Sequence, residues 1–500
     1  MPSVGLLLAL LFLVLSLPFL ATLGIQNDEA LFGGGVFPPY AAVYSAKVFG
    51  HEVPLMLMSY VGAVKAWLYK GIFALFDPSP WSVRLPMILL GAGTVWFFYD
   101  LLRRLAGPAT AAIGGLLLAT DASFVLTRRY DWGPVAIGQF LAVAGVWSLR
   151  RFAETNRRRY LFAGFAAFGL GLWDKALFLW LLAGLGIAAI LFARGFLRRL
   201  CQPRNLIVAL AAFCISSYPL IRYNLSRQQA TFRGNVQLAI PNFAEKGGAL
   251  ARTLDGTILF GWATRDASKE PISSAGFWLF AAAVLATPFF YRRELGFSIV
   301  CFAAIWMLML FNKDNGGAAH HTILLWPLPA AIVALGLGSA SQRWGGPVPS
   351  LITVASALIA GVAAISSIVV LAQFYRDGEK LGGVRSWTDA TYALAQSAEL
   401  HDSQVVYHLD WGLDQTLHLL SRGTLPQRGR DRVSEDTIRE GGAVFLRWSP
   451  GNEYFPGVAE KLDDSARAFG YTHEAIRVFF DRHDRPMVEL FRYRRSPTAK

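Results

Sequence analysis

The sequence predicts a polytopic α-helical membrane domain of about eleven transmembrane helices that ends in a small α/β domain. Three observations carry this. The 500-residue chain is 54% hydrophobic and only 16% charged, with mean hydropathy +0.40, against about 25% charge in soluble domains. Its apolar residues gather in runs near the ~20 residues that a membrane-crossing helix needs. Its charge is also divided. Residues 1–375 hold 29 Lys/Arg and 15 Asp/Glu, whereas residues 376–500 hold 18 and 19. The basic excess belongs to the membrane part, where inside-facing arginine loops account for it. The pI of 9.7 therefore points to no nucleic-acid partner.

In chain order, the predicted spans are 4–25, 81–101, 105–122, 133–149, 160–173, 176–193, 205–221, 275–290, 295–311, 322–340 and 350–374. The first lacks a basic leader and "FLATLG" is a weak cleavage signal, so it is read as a retained span. Every even-numbered span exits into arginines. Arg103 and Arg104 follow the second, Arg150–Arg151 and Arg157–Arg159 the fourth, and Arg194, Arg198, Arg199 and Arg204 the sixth. Arg292 and Arg293 follow the eighth, and Arg343 the tenth. Positive charge stays cytoplasmic. The other loops, 26–80, 121–132, 174–175, 222–274 and 312–321, then face outward together with the domain 376–500. Loop 26–80 is expected to carry juxtamembrane helices. In the final domain "SQVVYHL", "GGAVFLRW" and "MVELFRY" read as strands, and "WTDATYALAQSAEL" and "VAEKLDDSARAFG" as helices. Cys201, Cys214 and Cys301 form no disulfide framework or metal motif.

The outer loops gather ionisable groups at membrane depth, where such groups are costly and default to functional candidates. Asp28 and Glu29 open the first loop. Asp131 sits in "LTRRYDWGP" beside Arg128 and Arg129. Asp174 and Lys175 make a turn in "GLWDKALF", Arg222 ends the seventh span, and His320 and His321 lie in "AAHHTILLWPLP". Each has a plainer explanation: a solvated acidic turn for Asp28–Glu29, an Asp131–Arg pair, a snorkelling Lys175 paired with Asp174, solvated histidines. Their recurrence on one side weakens these. Gly33–Gly35 predicts a bend or loose turn, since glycine inside a helix costs about 1 kcal/mol relative to alanine.

An Asp-Glu pair after the first span, a long outer loop, and then "DPSPWSVRLPMILLG" (Asp77–Gly91) resemble the GT-C-fold, polyprenyl-phosphate-sugar-dependent glycosyltransferases. That family includes the protein O-mannosyltransferases and the lipid A aminoarabinose transferases. "GLGLWDKALFLWL" (Gly169–Leu181) and "HHTILLWPLPA" (His320–Ala330) add to the likeness, which covers roughly residues 1–375. Two departures stand out: Gly33–Gly35 with Pro38–Pro39 interrupt the segment after the acids, and Ala176 follows Lys175 where the family has Gly-Pro.

The resemblance implies an inverting displacement on the extracytoplasmic face of the plasma (inner) membrane. The donor is a polyprenyl-phosphate sugar, and the acceptor is a hydroxyl of a protein, lipid A or an envelope glycan. Asp28 is the implied general base. Glu29 orients Asp28 or the acceptor, and Asp131 positions the acceptor or holds an arginine. Arg84, which matches a family arginine, is the implied cation for the leaving phosphate, and Lys175, Arg222 and His321 are further candidates. No cofactor is expected; a divalent metal is possible but not expected. The rival is a transporter or flippase of lipid-linked envelope intermediates, which predicts inverted repeats and broken helices at mid-membrane. No repeat is visible, and the acids gather at one face.

Overall fold

The computed structural model describes all residues except Met1, Trp132, 265–270, 290–291, 345–350, 430, 432, 440–441 and 497–500. Each predicted span contains a helix, the longest being Pro80–Ala106, Pro203–Ser226 and Leu351–Leu381. By length and apolar composition, five described helices could cross a membrane, or up to seven if each bent pair is one span. The sequence counts more because it credits short apolar runs. Pro2–Ser16 has 15 residues and Gly276–Leu285 has 10, well under the ~20 needed. One bent pair, Pro108–Thr120 with Ala122–Arg129, turns by 53°. There Asp121 ends the first helix and its carboxylate caps the second by accepting the Phe124 N–H at 2.7 Å.

The helix Pro80–Ala106 shows how the sequence sets these boundaries. Ser79 caps it reciprocally with Ser82, Pro80 takes the first turn, and Gly107 (φ 91°) stops it. Its buried face, including Ile88, Val95 and Phe98, joins the main core with Phe12, Leu118 and Phe124.

Loop 26–80 holds the helices Asn27–Gly34 and Val64–Phe73. Between them lies an antiparallel sheet that the sequence reading did not foresee: β1 (Tyr44–Val48), β2 (His51–Met58) and β3 (Val61–Gly62). The expected bend at Gly33–Gly35 is also corrected. Gly33 and Gly34 lie inside the helix, and Gly35 caps it in right-handed helical geometry. The reason is packing. A Cβ on Gly34 would stand 3.3 Å from the Leu419 Cβ, so glycine lets the C-terminal domain approach this helix closely.

The C-terminal domain follows the helix that runs to Leu381. Its strands are β4 (Val405–His408), β5 (Gln427–Gly429), β6 (Ala443–Trp448), β7 (Tyr471–Phe480) and β8 (Pro486–Arg495), in the order β5-β4-β6-β8-β7. β4 runs parallel to β5 and β6, while β8 is antiparallel to β6 and β7. The three predicted strands are β4, β6 and β8. The predicted helix near 387–400 breaks into Ala390–Ala395 and Ala398–His401, and the second predicted helix forms as Val458–Ala468.

Candidate active site

Asp28 lies one residue into the helix Asn27–Gly34. Gln26 forms a capping box: its side-chain oxygen accepts the N–H groups of Asp28 (2.7 Å) and Glu29 (3.3 Å), and Glu29 accepts the Gln26 N–H. The cap fixes the direction of both acids at the point where the chain leaves the first helix. From there they serve different ends.

Glu29 is consumed internally. Its carboxylate takes a two-pronged ion pair from Arg84, at 3.0 and 3.1 Å, with both side chains closed from solvent. The remaining Arg84 N–H groups go to the carbonyls of Leu20, Leu23 and Gly24 at 2.5–2.9 Å. The guanidinium also stands 4.6 Å from the Tyr130 ring centroid. Arg84 was expected to hold the donor phosphate. Instead all five of its donors pin residues 20–29 to the helix Pro80–Ala106, leaving none for a ligand.

Asp28 is half-buried, and its carboxyl keeps its proton up to about pH 6. Burial is the main cause. A hydrogen bond from Asn27 and the charge of Lys175 oppose it, and the charge of Asp414 adds to it. The same Asp28 charge, after burial, pushes up the phenol of Tyr60. Asp28 thus faces Lys175 and Tyr60 from the membrane part and Asp414 from the C-terminal domain.

Lys175 is buried in the turn after the helix Arg158–Asp174 and donates to the Gly133 carbonyl at 2.6 Å. Burial brings its ammonium pKa down to about 8, against the pull of Asp131, Asp174 and Asp28. It does not pair with Asp174. Both carboxyl oxygens of that residue are buried without a hydrogen-bond partner among the described residues. The His320 and His321 rings lie 4.2 Å apart between centroids, tilted by 59°, within reach of the Lys175 charge. Their rings are half-buried, not solvated as the plainer explanation had it.

Asp131 is fully buried. Its Oδ1 accepts the N–H groups of Val135 (2.8 Å) and Ala136 (3.0 Å), and its Oδ2 meets the Lys65 ammonium at 2.8 Å. Burial alone would raise its pKa, but the Lys65 charge and hydrogen bond, with the Val135 N–H, hold it below the carboxylate range. The neighbouring arginines do not pair with it. Arg129 donates to the Ser16 carbonyl at 2.8 Å, and Arg128 lies 4.5 Å from the Phe124 ring centroid. Arg222 is exposed, and no hydrogen bond or ion pair joins it to this cluster among the described residues.

The structure thus brings Asp28, Lys175, Asp131 and the histidines together, turns Glu29 and Arg84 to anchoring, and leaves Arg222 outside. Sequence reasoning missed Lys65 and Asp414. Lys65 did carry a signal: between Val53 and Tyr69 it is the only charged residue. Asp414 carried none, because only the folded chain brings residue 414 to residue 28.

The family model of dolichyl-phosphate-mannose-protein mannosyltransferases matches residues 61–221, about a third of the chain. That stretch includes Lys65, Arg84, Asp131 and Lys175. No curated protein matches the chain in sequence. Among solved structures, ArnT from Cupriavidus metallidurans bound to undecaprenyl phosphate is similar along 97% of each chain, with a TM-score of 0.62 at 12% identity. The chain has the GT-C fold. An oligosaccharyltransferase from Archaeoglobus fulgidus, solved with Zn and sulfate, is also similar over 85% of this chain and 62% of its own, with a TM-score of 0.49 at 14% identity. Within the GT-C fold seen here, the Asp28 helix is held between the membrane helices and the C-terminal domain. Gln415 donates its N–H to the Asn27 side chain at 3.2 Å, and Thr416 donates to the Ile25 carbonyl at 3.1 Å.

Proposed function

We propose that this protein is a multi-pass plasma-membrane glycosyltransferase. It moves a sugar from a polyprenyl-phosphate donor to an acceptor hydroxyl on the extracytoplasmic face, with Asp28 as general base. The observation that carries this is a carboxylate, Asp28, ionised above about pH 6 within electrostatic reach of the buried Lys175 ammonium, where the C-terminal domain contacts the Asp28 helix. The GT-C fold and the partial mannosyltransferase match support the reaction class. The arginine-bearing even loops support the orientation.

In this mechanism the acceptor oxygen attacks the donor's C1 as its proton passes to Asp28. The C1–O bond to phosphate breaks on the opposite side, and the electron pair leaves with the phosphate. A single displacement inverts C1. Lys175 spends one N–H on Gly133 and keeps the others for the phosphate, where fixed cations offset growing negative charge. His321, whose Nδ1 has no hydrogen-bond partner among the described residues, lies on the same side. Asp131, locked by Lys65, positions this wall of the site by holding the Val135 and Ala136 N–H groups. In this reading Lys175 supplies the fixed positive charge and no divalent metal is invoked.

The test is transfer from a polyprenyl-phosphate sugar by Asp28→Asn protein. The variant should lose at least about a hundredfold, the lower range for a positioned base. Full activity would end the base assignment. A reporter fused after Lys500 should read as extracytoplasmic, and a cytoplasmic signal would overturn the lipid-donor argument with it.

A further inference from the structure

The C-terminal domain contains a cavity of about 160 Å³ that the transfer site does not use. Its lining includes Asp410 after β4, Arg447 and Trp448 at the end of β6, and Glu453, Phe455 and Glu460. Its floor is built rigidly. Asp410 accepts the N–H groups of Trp411 (2.7 Å), Tyr454 (2.9 Å) and Phe455 (3.3 Å), and the Trp448 indole donates to the Trp411 carbonyl at 2.9 Å.

Three features define what would fit. The first is charge. Three carboxylates and one guanidinium line the cavity, and that guanidinium is already paired with Glu489 (2.7 Å) and Asp463 (3.0 Å). The cavity therefore repels anions and accepts neutral or cationic groups. The second is the mixture of chemistries. Carboxylates accept hydrogen bonds from adjacent hydroxyls, while the Phe455 ring, 47% exposed, offers an apolar face to ring C–H groups. The third is size. The volume lies below the ~300–1,000 Å³ of sites for drug-sized ligands, so it admits one ring of a larger molecule.

The position matters as much as the chemistry. Tyr454, between lining residues Glu453 and Phe455, stacks edge-on with Trp411 at 4.7 Å. Its hydroxyl shares a 2.7 Å hydrogen bond with Ser386. Asp410 and Trp411 lead into the helix Asp414–Leu420, whose Gln415 donates its N–H to the side chain of Asn27, next to Asp28, at 3.2 Å. The cavity wall and the proposed base therefore sit on directly connected elements.

We propose that this cavity is an acceptor subsite that holds one neutral or amine-bearing sugar ring of a glycan while another of its hydroxyls reaches Asp28. The proposal rests on the transfer reading above. It selects a saccharide acceptor over a protein one.

The test is saturation-transfer NMR on the full-length protein in nanodiscs, with D-mannose, D-glucosamine and D-glucuronate as probes. Mannose and glucosamine should receive saturation and glucuronate should not. Phe455→Ala and Glu453→Gln, both outside the Asp28 cluster, should weaken the signal several-fold with unchanged melting temperature. No signal from either neutral or amine sugar, equal signal from glucuronate, or variants that bind like the wild type would each overturn the proposal. Asp28→Asn protein separates the two ideas. It should bind the sugars normally while losing transfer. Sugar binding with transfer intact in that variant would sink the base assignment and leave the subsite standing.

Discussion

Asp131 is paired with Lys65, sixty-six residues away in sequence, and not with the arginines two and three residues before it. The Lys65 ammonium bonds both the carboxylate and the carbonyl of Asp131 at 2.8 Å. The pair ties the helix Val64–Phe73 to the turn that starts the helix Ala136–Thr155.

Lys65→Met would leave the Asp131 carboxylate buried without its counter-charge. Breaking a buried pair from one side costs about 3–5 kcal/mol. The variant should show a markedly lower melting temperature in detergent, and adding Asp131→Asn should recover part of it. A variant as stable as the parent, but weakened toward donor, would instead make Lys65 a ligand group.

Glu29→Gln would strand Arg84 in the same way. The expected result is again a loss of about 3–5 kcal/mol, with the KM for polyprenyl-phosphate donor unchanged in whatever enzyme remains folded. A raised donor KM at normal stability would restore Arg84 to phosphate binding.

The pH dependence follows from Asp28. Its carboxyl titrates near 6 in the folded chain against 3.8 for the free side chain. Transfer should therefore fall along an acid limb centred near pH 6 as the base becomes protonated. The stability effect has the opposite sense. Between the two values the folded chain holds a proton that the unfolded chain has lost. Ionising Asp28 as pH rises thus costs the fold, on the order of 2–3 kcal/mol once past 6. Asp28→Asn should melt higher than the parent at pH 8 and equal to it near pH 4. A limb near pH 4, or no gain in melting temperature at pH 8, would contradict this placement of Asp28.

Lys175→Met tests the remaining cation. The Lys175 charge holds the Asp28 pKa down, so removing it should move the acid limb upward and also lower kcat through the unbalanced phosphate. Lys175→Arg should restore the limb more fully than the rate. A limb that stays in place would mean that the two groups do not interact.

The membrane helices were legible because apolar runs and arginine-bearing loops are local signals. The three C-terminal strands that pack into the core, β4, β6 and β8, were legible for the same reason. β7 was not: its alternating charges in "YTHEAIRVFF" give it one exposed face and blur the apolar pattern. In the site, the Asp28–Glu29 pair drew notice because it follows a span, and only the family resemblance singled out Asp28 from it. The division of labour between Asp28 and Glu29 could not be read, since it depends on where Arg84 and the carbonyls of Leu20, Leu23 and Gly24 arrive in space. The glycines after the acids misled because their local cost argues for a bend, while the gain comes from Leu419 packing nearly four hundred residues later.

The contact between Gln415 and Asn27 links positions 388 residues apart. A ribosome delivers the N-terminal segment first. The helix bearing Asp28 therefore reaches the membrane surface long before the helix Asp414–Leu420 that covers it exists. Throughout that interval Asp28 lacks one of its walls. A chain cut short before residue 414 would lack this wall, so the proposed centre is complete only once the last domain has folded.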